Sequence, residues 1–429
     1  MKLCKIICTM SFVFVCNSII SQTDNQTWTL DDCINHAIEQ NITIKKSKVA
    51  YEESLVNTKT AKGALFPSLS FAAGYDYTNR PFSENNTINS LGGSYNLNAS
   101  WTVFNGTRNK TIKKQEMYDS ISELNVYQTQ NSITETVIQL YIQILYAAES
   151  VKTNENTVEL NKSLLERGQH LLEAGSVAKS DVAQLEAQYS NSKYQLIVSQ
   201  NALRNYQLQL KQVLELESDI NIDILSYDEN DFLTTLPSVS TVYQAALETR
   251  PEILASKLTL ETSDLDLRIA KAGYYPKISM SAGIGTQHDL ISDNVGEQLK
   301  YGWNNHVGVS LSVPILNQRQ TKSSIETAKL NTITNELNLI DEQKVLYKTI
   351  ESLWLDAFGS QEQYRASVEN LSSVEVSYGL VEEQFNVGLK NTSELLIEKD
   401  NLLSAQQNLL QAKYMAILNI KLLDFYQGK

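Results

Sequence analysis

Residues Ala61 to Pro67 (AKGALFP) return in close copy as Ala270 to Pro276 (AKAGYYP). The match continues upstream in the same register, with Ala37, Glu39, Ile44, Ser47, Lys48, Glu52 and Ser54 answering Ala246, Glu248, Ile253, Ser256, Lys257, Glu261 and Ser263. Identities recurring at one fixed spacing mark an internal repeat, so the chain must fold as two versions of one unit. Each copy closes a helical stretch on a proline. Proline lacks an amide hydrogen and disfavours helix at the residue before it, so Phe66 and Tyr275 are predicted helix ends, and Pro67 and Pro276 lead the chain into extended structure.

Alternating sequence comes after both prolines. In 68–78, Leu69, Phe71, Ala73, Tyr75 and Tyr77 fall on one side of an extended segment and small or polar residues on the other. The same pattern returns in 94–104, where Tyr95, Leu97, Ala99, Trp101 and Val103 face away from Ser94, Asn96, Asn98, Ser100 and Thr102. The second copy predicts strands at about 277–286 and 306–316, joined by a loop over 287–305. Segments of about 11 residues with one apolar and one polar face match transmembrane β-strands, whereas a soluble hairpin lying on a core shows the same alternation.

The helices are long. From Gly106 to Leu172 there is no proline, enough for a rod of roughly 100 Å. Gly175 breaks it, Asp181 offers capping chemistry, and Val182, Leu185, Tyr189, Leu196, Leu203, Tyr206, Leu210 and Val213 trace a coiled-coil seam. The second copy has a helix over 318–386, a break at Gly388, and a final helix from Glu394 in the same register. In each copy the helix before the hairpin and the helix after the turn together nearly match the long one in length. The two short helices can therefore stack end to end beside it, making a rod capped by a β-hairpin.

The first residues carry Lys2 and Lys5, an apolar run and then Ser18 and Ser21, which predicts a signal peptide over 1–21. The domains are then a first repeat at 22–213, an acidic linker at 214–241 and a second repeat at 242–429. Cys4, Cys8 and Cys16 lie in the signal, leaving Cys33 without a partner for an internal disulfide. A net charge of -13 argues against nucleic acid as a partner. His36, His170, His288 and His306 lack ligand spacing, and no nucleophile motif or phosphate-binding loop is present, so neither an enzyme nor a cofactor is expected. Only 6 prolines and 17 glycines in 429 residues suit a mainly α fold with a small β part.

Four strands cannot close a membrane barrel, and an open edge in hydrocarbon strands unpaired backbone groups, so several chains must pool their strands. Three chains would give twelve and leave room for a lumen.

The doubled helix-strand-strand-helix plan, the two prolines and the paired turns 171–182 and 383–395 resemble the outer membrane efflux protein (TolC) family over essentially the whole mature chain. The resemblance implies a homotrimer whose β-barrel spans the lipid of the bacterial outer membrane above an α-helical tunnel through the periplasm. It implies a passive exit duct in a tripartite efflux or secretion system, working with a periplasmic adaptor and an inner-membrane transporter. The helical turns would form a gated aperture: Asp181 falls on the family's first-turn carboxylate, Lys390 on its basic residue, Glu394 on an acidic ring, and Phe385 where a tyrosine linker is found. The tips at Gly175 and Gly388 would meet the adaptor, and Tyr75, Tyr77, Tyr95 and Trp101 would face lipid or its interface. A simple helix cap also accounts for Asp181, and a solvated surface for Lys390 and Glu394. The competing reading of the chain is a secreted coiled-coil structural or adhesive protein whose alternating segments are soluble hairpins.

Overall fold

The computed structural model describes residues 27–79, 82, 89–217, 223–224, 232–290 and 294–428. The expected signal peptide, most of the 80–88 segment and the greater part of the acidic linker lie outside the described residues.

Each repeat runs short helix, longer helix, strand, strand, long helix, returning helix. The first has α1 (Leu30–Gln40), α2 (Ile42–Gly63), β2 (Ser68–Asn79), β3 (Asn89–Asn105), α3 (Arg108–Glu173) and α4 (Lys179–Val213). The second has α5 (Val239–Thr249), α6 (Pro251–Lys271), β5 (Lys277–Asp289), α7 (Val295–Tyr301), β6 (Asn304–Ser312), α8 (Gln320–Asn386) and α9 (Thr392–Gln427). Two short strands, β1 (Thr27–Trp28) and β4 (Asp223–Ile224), pair in parallel and bring the linker beside the start of α1.

The stacking arithmetic holds: α2 and α4, of 22 and 35 residues, lie along the 66 residues of α3, and α6 and α9, of 21 and 36, along the 67 of α8. Where α2 meets the end of α4, its N-cap Asn41 donates Nδ2 to the Val213 carbonyl at 2.9 Å. The equivalent N-cap in the second repeat, Arg250, donates Nη2 to the Phe425 carbonyl at 3.5 Å and lays its guanidinium over the Tyr426 ring at 3.6 Å. Around these junctions sits the main core, built from Cys33, Ala37, Val137, Tyr141, Leu210, Val242, Ile253, Ile350, Ala416 and Leu423 among others. In both repeats a serine of the shorter helix holds the long one: Ser54 Oγ donates to Asp119 at 2.5 Å, and Ser263 Oγ accepts from Asn335 Nδ2 at 2.5 Å.

At the opposite end from the helical turns, the four long strands form one antiparallel sheet in the order β2-β3-β5-β6, whose outer strands β2 and β6 have no further partner among the described residues. The strands run longer than expected at their far ends, and the connection between β5 and β6 contains the α7 helix, where the sequence pattern predicts loop. At the near end β6 stops at Ser312 instead of reaching residue 316. Its partner β5 begins only at Lys277, opposite Ser312 and directly after Pro276, and Pro314 offers no amide to extend the ladder. One face assignment also changes. A bulge between Thr102 and Phe104 turns Phe104, not Val103, toward the apolar face, opposite Ile278. Arg108, in the first turn of α3, caps this bulge by donating to the Thr102 and Val103 carbonyls at 2.5 and 3.3 Å.

Candidate functional site

Two regions gather the residues singled out in the sequence: the sheet and the helical tips.

Paired rows across the sheet alternate in character. Ser70, Asn98, Gly283 and His306 share one face, as do Ala72, Asn96, Gly285 and Asn304; the intervening row Phe71, Leu97, Ile284 and Asn305 and the adjoining row Leu69, Ala99, Ala282 and Val307 face the other way. Among the described residues nothing covers the apolar face, and Leu69, Phe71, Val307, Val309 and Leu311 each expose 65% or more of their surface. Aromatic residues mark both margins of this band. At the near margin Trp101 donates its indole Nε1 to the Leu65 carbonyl at 2.9 Å, beside Pro67. At the far margin the Tyr75 and Tyr95 hydroxyls are hydrogen-bonded, His288 stacks on Tyr95 at 5.8 Å, and Tyr77 donates to Asn89 Oδ1 at 3.1 Å. Gly93 permits this cluster, since a Cβ there would come within 2.3 Å of the His288 ring. From Pro67 to Tyr77 the strand climbs roughly 33 Å at 3.3 Å per residue, or about 25 Å when tilted as barrel strands are. That equals the height of an outer-membrane apolar band.

At the other end, both helical turns close alike. Gly175 and Gly388 take φ of +71° and +77°, the left-handed conformation that glycine adopts without cost from a Cβ. The amides three places past each helix fold back on carbonyls of its last turn, Ser176 to Leu171 at 2.8 Å and Leu389 to Gln384 at 2.9 Å. Each following helix is then capped by an acid in its first turn. Asp181 Oδ2 accepts from the Ala178 amide at 3.0 Å, and Glu394 Oε2 from the Asn391 amide at 3.0 Å. Glu394 Oε1 also accepts from Lys390 Nζ at 2.5 Å. The Lys390 bond and then the Asn391 amide hold the Glu394 carboxyl below its ordinary range. In a single chain, therefore, Asp181, Lys390 and Glu394 all bond within their own turns, and among the described residues none is hydrogen-bonded to the other hairpin.

Phe385 does reach across. It joins a small apolar cluster at the tips formed by Leu164 and Leu185 of the first hairpin and Tyr378 and Leu395 of the second. The Arg167 guanidinium lies 5.8 Å from its ring, and a narrow cleft between the hairpins is lined by Asp181 together with Arg167, Gly168, Phe385 and Leu395. Two further contacts tie the hairpins together a few turns above the tips. Gln188 Nε2 donates to Asp400 Oδ1 at 2.7 Å, and Lys399 Nζ donates to Asn161 Oδ1. The sequence pattern alone did not point to either, though one signal was available: Asn154, Thr157, Asn161, Leu164 and Gly168 follow a three-four spacing along α3 and are all buried, a heptad stripe filled largely with polar or small residues.

Comparison with known proteins bears on both regions. The profile described as "Outer membrane efflux protein" matches residues 33–215 and 242–423, nearly all of both repeats. Outer membrane protein TolC of Escherichia coli is 22% identical over 94% of this chain and 82% of its own length. Outer membrane efflux protein BepC of Brucella suis is 20% identical over 91% of this chain and 83% of its own. The solved CusC structure superposes with a TM-score of 0.80 at 16% identity, covering 93% of this chain and 91% of CusC, which establishes a shared fold.

Proposed function

We infer, from the premise that this chain belongs to the outer membrane efflux protein family, how its two ends share the work of export, with the sheet crossing the outer membrane and the helices carrying the conduit through the periplasm. It is an outer-membrane efflux channel and not an enzyme, a passive duct driven by the systems it serves. The observation that carries this reading is the single-layer sheet. Among the described residues its apolar face is uncovered and both outer strands lack partners, and its aromatic margins stand one membrane thickness apart. A secreted rod with soluble hairpins would need a core against that face.

Three copies pair β6 of one with β2 of the next, closing a twelve-stranded barrel whose lumen is lined by the Ser, Asn and Gly rows. Tyr75, Tyr77 and Tyr95 sit at the cell-surface lipid boundary and Trp101 at the periplasmic one, where amphipathic rings are favoured. The tips at Gly175 and Gly388 meet a periplasmic adaptor that couples the duct to an inner-membrane transporter. Asp181, Phe385, Lys390 and Glu394 belong to the aperture there. The two repeats, 22–213 and 242–429, each supply one hairpin of strands and one of helices, with the linker at their waist.

Reconstitution into planar lipid bilayers tests this. Purified protein gives discrete conductance steps, and Asp181→Ala or Glu394→Ala alters step size or ion selectivity. Recovery of the protein as a soluble periplasmic monomer that forms no pores overturns the channel, and unaltered current and selectivity in both variants removes these acids from the aperture.

A further inference from the structure

Between the waist and the tips, α3 of the first hairpin and α9 of the second leave a groove of about 390 Å³, within the size range of small-molecule sites. Leu160 of α3, Leu371 of α8 and Leu402, Leu403, Leu409 and Leu410 of α9 line it, all of them half-buried, so apolar surface stays open along its length. Its two ends differ in charge. Toward the waist it holds Glu149 of α3 and Lys413 of α9, which are of opposite sign. Toward the tips it holds Lys399, whose small remaining surface, 2%, lies on the groove. An ammonium carries three donors; Asn161 Oδ1 accepts one, which leaves the others to water or to an anion in the groove. The acids on either side of Lys399 in sequence are engaged elsewhere, Asp400 with Gln188 of α4 and Glu398 with Ser377 of α8.

We propose that this groove binds a water-borne anionic amphiphile, with its head on the Lys399 ammonium and its alkyl tail along the leucines toward the waist. From Lys399 to Leu410 the helix rises roughly 16 Å, room for a tail of medium length. A cationic head would meet like charge there, and a neutral one would forgo a charge-assisted hydrogen bond. A bilayer lipid does not reach the groove, because from Arg108, beside the sheet, to Glu149 the α3 helix descends roughly 60 Å. That placement rests on reading the sheet as the part that crosses the membrane; the binding itself does not. Burial pushes the Lys399 ammonium down from 10.5 to about 8, against a smaller opposing pull from Asp400. A bound anion raises it again, so binding takes up a proton in alkaline solution. Affinity is then highest below about 8 and falls as pH rises through that value, by about tenfold between pH 7 and pH 9.

Isothermal titration of the full-length protein in nanodiscs of zwitterionic lipid, with the heat of empty nanodiscs subtracted, tests the site. Decane sulfonate, whose head stays ionised throughout, is compared with decyltrimethylammonium, which has the same tail. The sulfonate is expected to bind saturably, one per chain, at least about tenfold more tightly than the cation. Lys399→Met abolishes both that preference and the alkaline response, with helical circular dichroism as the folding control. Lys399→Arg keeps the preference and loses the alkaline response, since a guanidinium stays charged. Leu409→Gln, at a half-buried position that folding tolerates, weakens both probes alike. Equal affinity for the two heads, a preference that survives Lys399→Met, or uptake that never saturates overturns the site, as does a groove that takes no probe because another chain fills it. Pores without saturable binding overturn the site and leave the channel standing; binding by a protein that conducts no ions does the reverse.

Discussion

Cys33 has no exposed surface, and burial, with Asp32 adding to it, pushes its thiol up to about 12. Since the thiolate is the reactive form, Cys33 in the folded chain reacts with maleimide at least about a hundredfold more slowly than a free thiol and at the ordinary rate after denaturation. Glu394 shows the opposite displacement. Its carboxyl is lowered from 4.5 by Lys390 and the Asn391 amide, so the stability it lends the α9 cap is present above about 4.5 and drains as pH falls through the folded value. Hydrogen-exchange protection at Thr392–Leu395 is expected to drop on acidification from about pH 5 to about pH 3, and to lose that dependence in Glu394→Gln. At this scale the sequence announced turn acids and helix-breaking glycines, because capping needs only residues three or four apart. It did not announce Asn161 or Lys399. A lysine's partner 238 positions away is a product of how two hairpins pack, and its own helix shows only a charged residue beside an apolar seam.

Among the elements, strands and helices were legible wherever periodicity alone decides them. The four alternating segments, the two proline-free rods and the end-to-end stacking all follow from the repeat. The bulge at Val103 was not, since an extra residue leaves the alternation of the sequence intact and shifts only the register against β5. Nor was α7, whose seven residues are held by neighbours and not by propensity: Gln298 Oε1 accepts the Asp289 amide at 2.7 Å, and the Leu299 carbonyl accepts Thr286 Oγ1 at 2.6 Å. The end of β6 shows a third reason, because a strand lasts only as long as its partner. The junction residues Asn41 and Arg250 were not legible either, because they fall at equivalent positions of the two copies with unlike side chains. Asn41 accepts the Thr43 and Ile44 amides while donating to Val213. Asn41→Ala should therefore cost about 1–2 kcal/mol, read as a lowered midpoint in guanidinium unfolding, whereas Asn41→Ser should recover much of that loss.

For the whole molecule, the two faces of the sheet make opposite demands. Lysine in place of Leu97, at mid-height on the apolar face, is expected to cost about 2–4 kcal/mol and to prevent stable insertion. Lysine in place of neighbouring Asn98, on the polar face, is expected to insert normally and shift ion selectivity toward anions; detergent extraction and bilayer recording read the two outcomes. The unpartnered edges yield a second expectation. Cysteines replacing Ser70 on β2 and Ser310 on β6, in a Cys33→Ser background, should crosslink copies into a ladder that ends at three; a ladder ending at two would rule out the twelve-stranded barrel. The junctions capped by Asn41 and Arg250 carry a mechanical corollary. In each repeat one spar is unbroken from the membrane to the tips, while its companion is cut at mid-length and spliced by a hydrogen bond, joined in the second repeat by an aromatic stack. Bending concentrates at a splice, so the lower half of each companion can pivot against its mate while the segment above stays still, and the wall in the bilayer is spared the strain of movement at the far end.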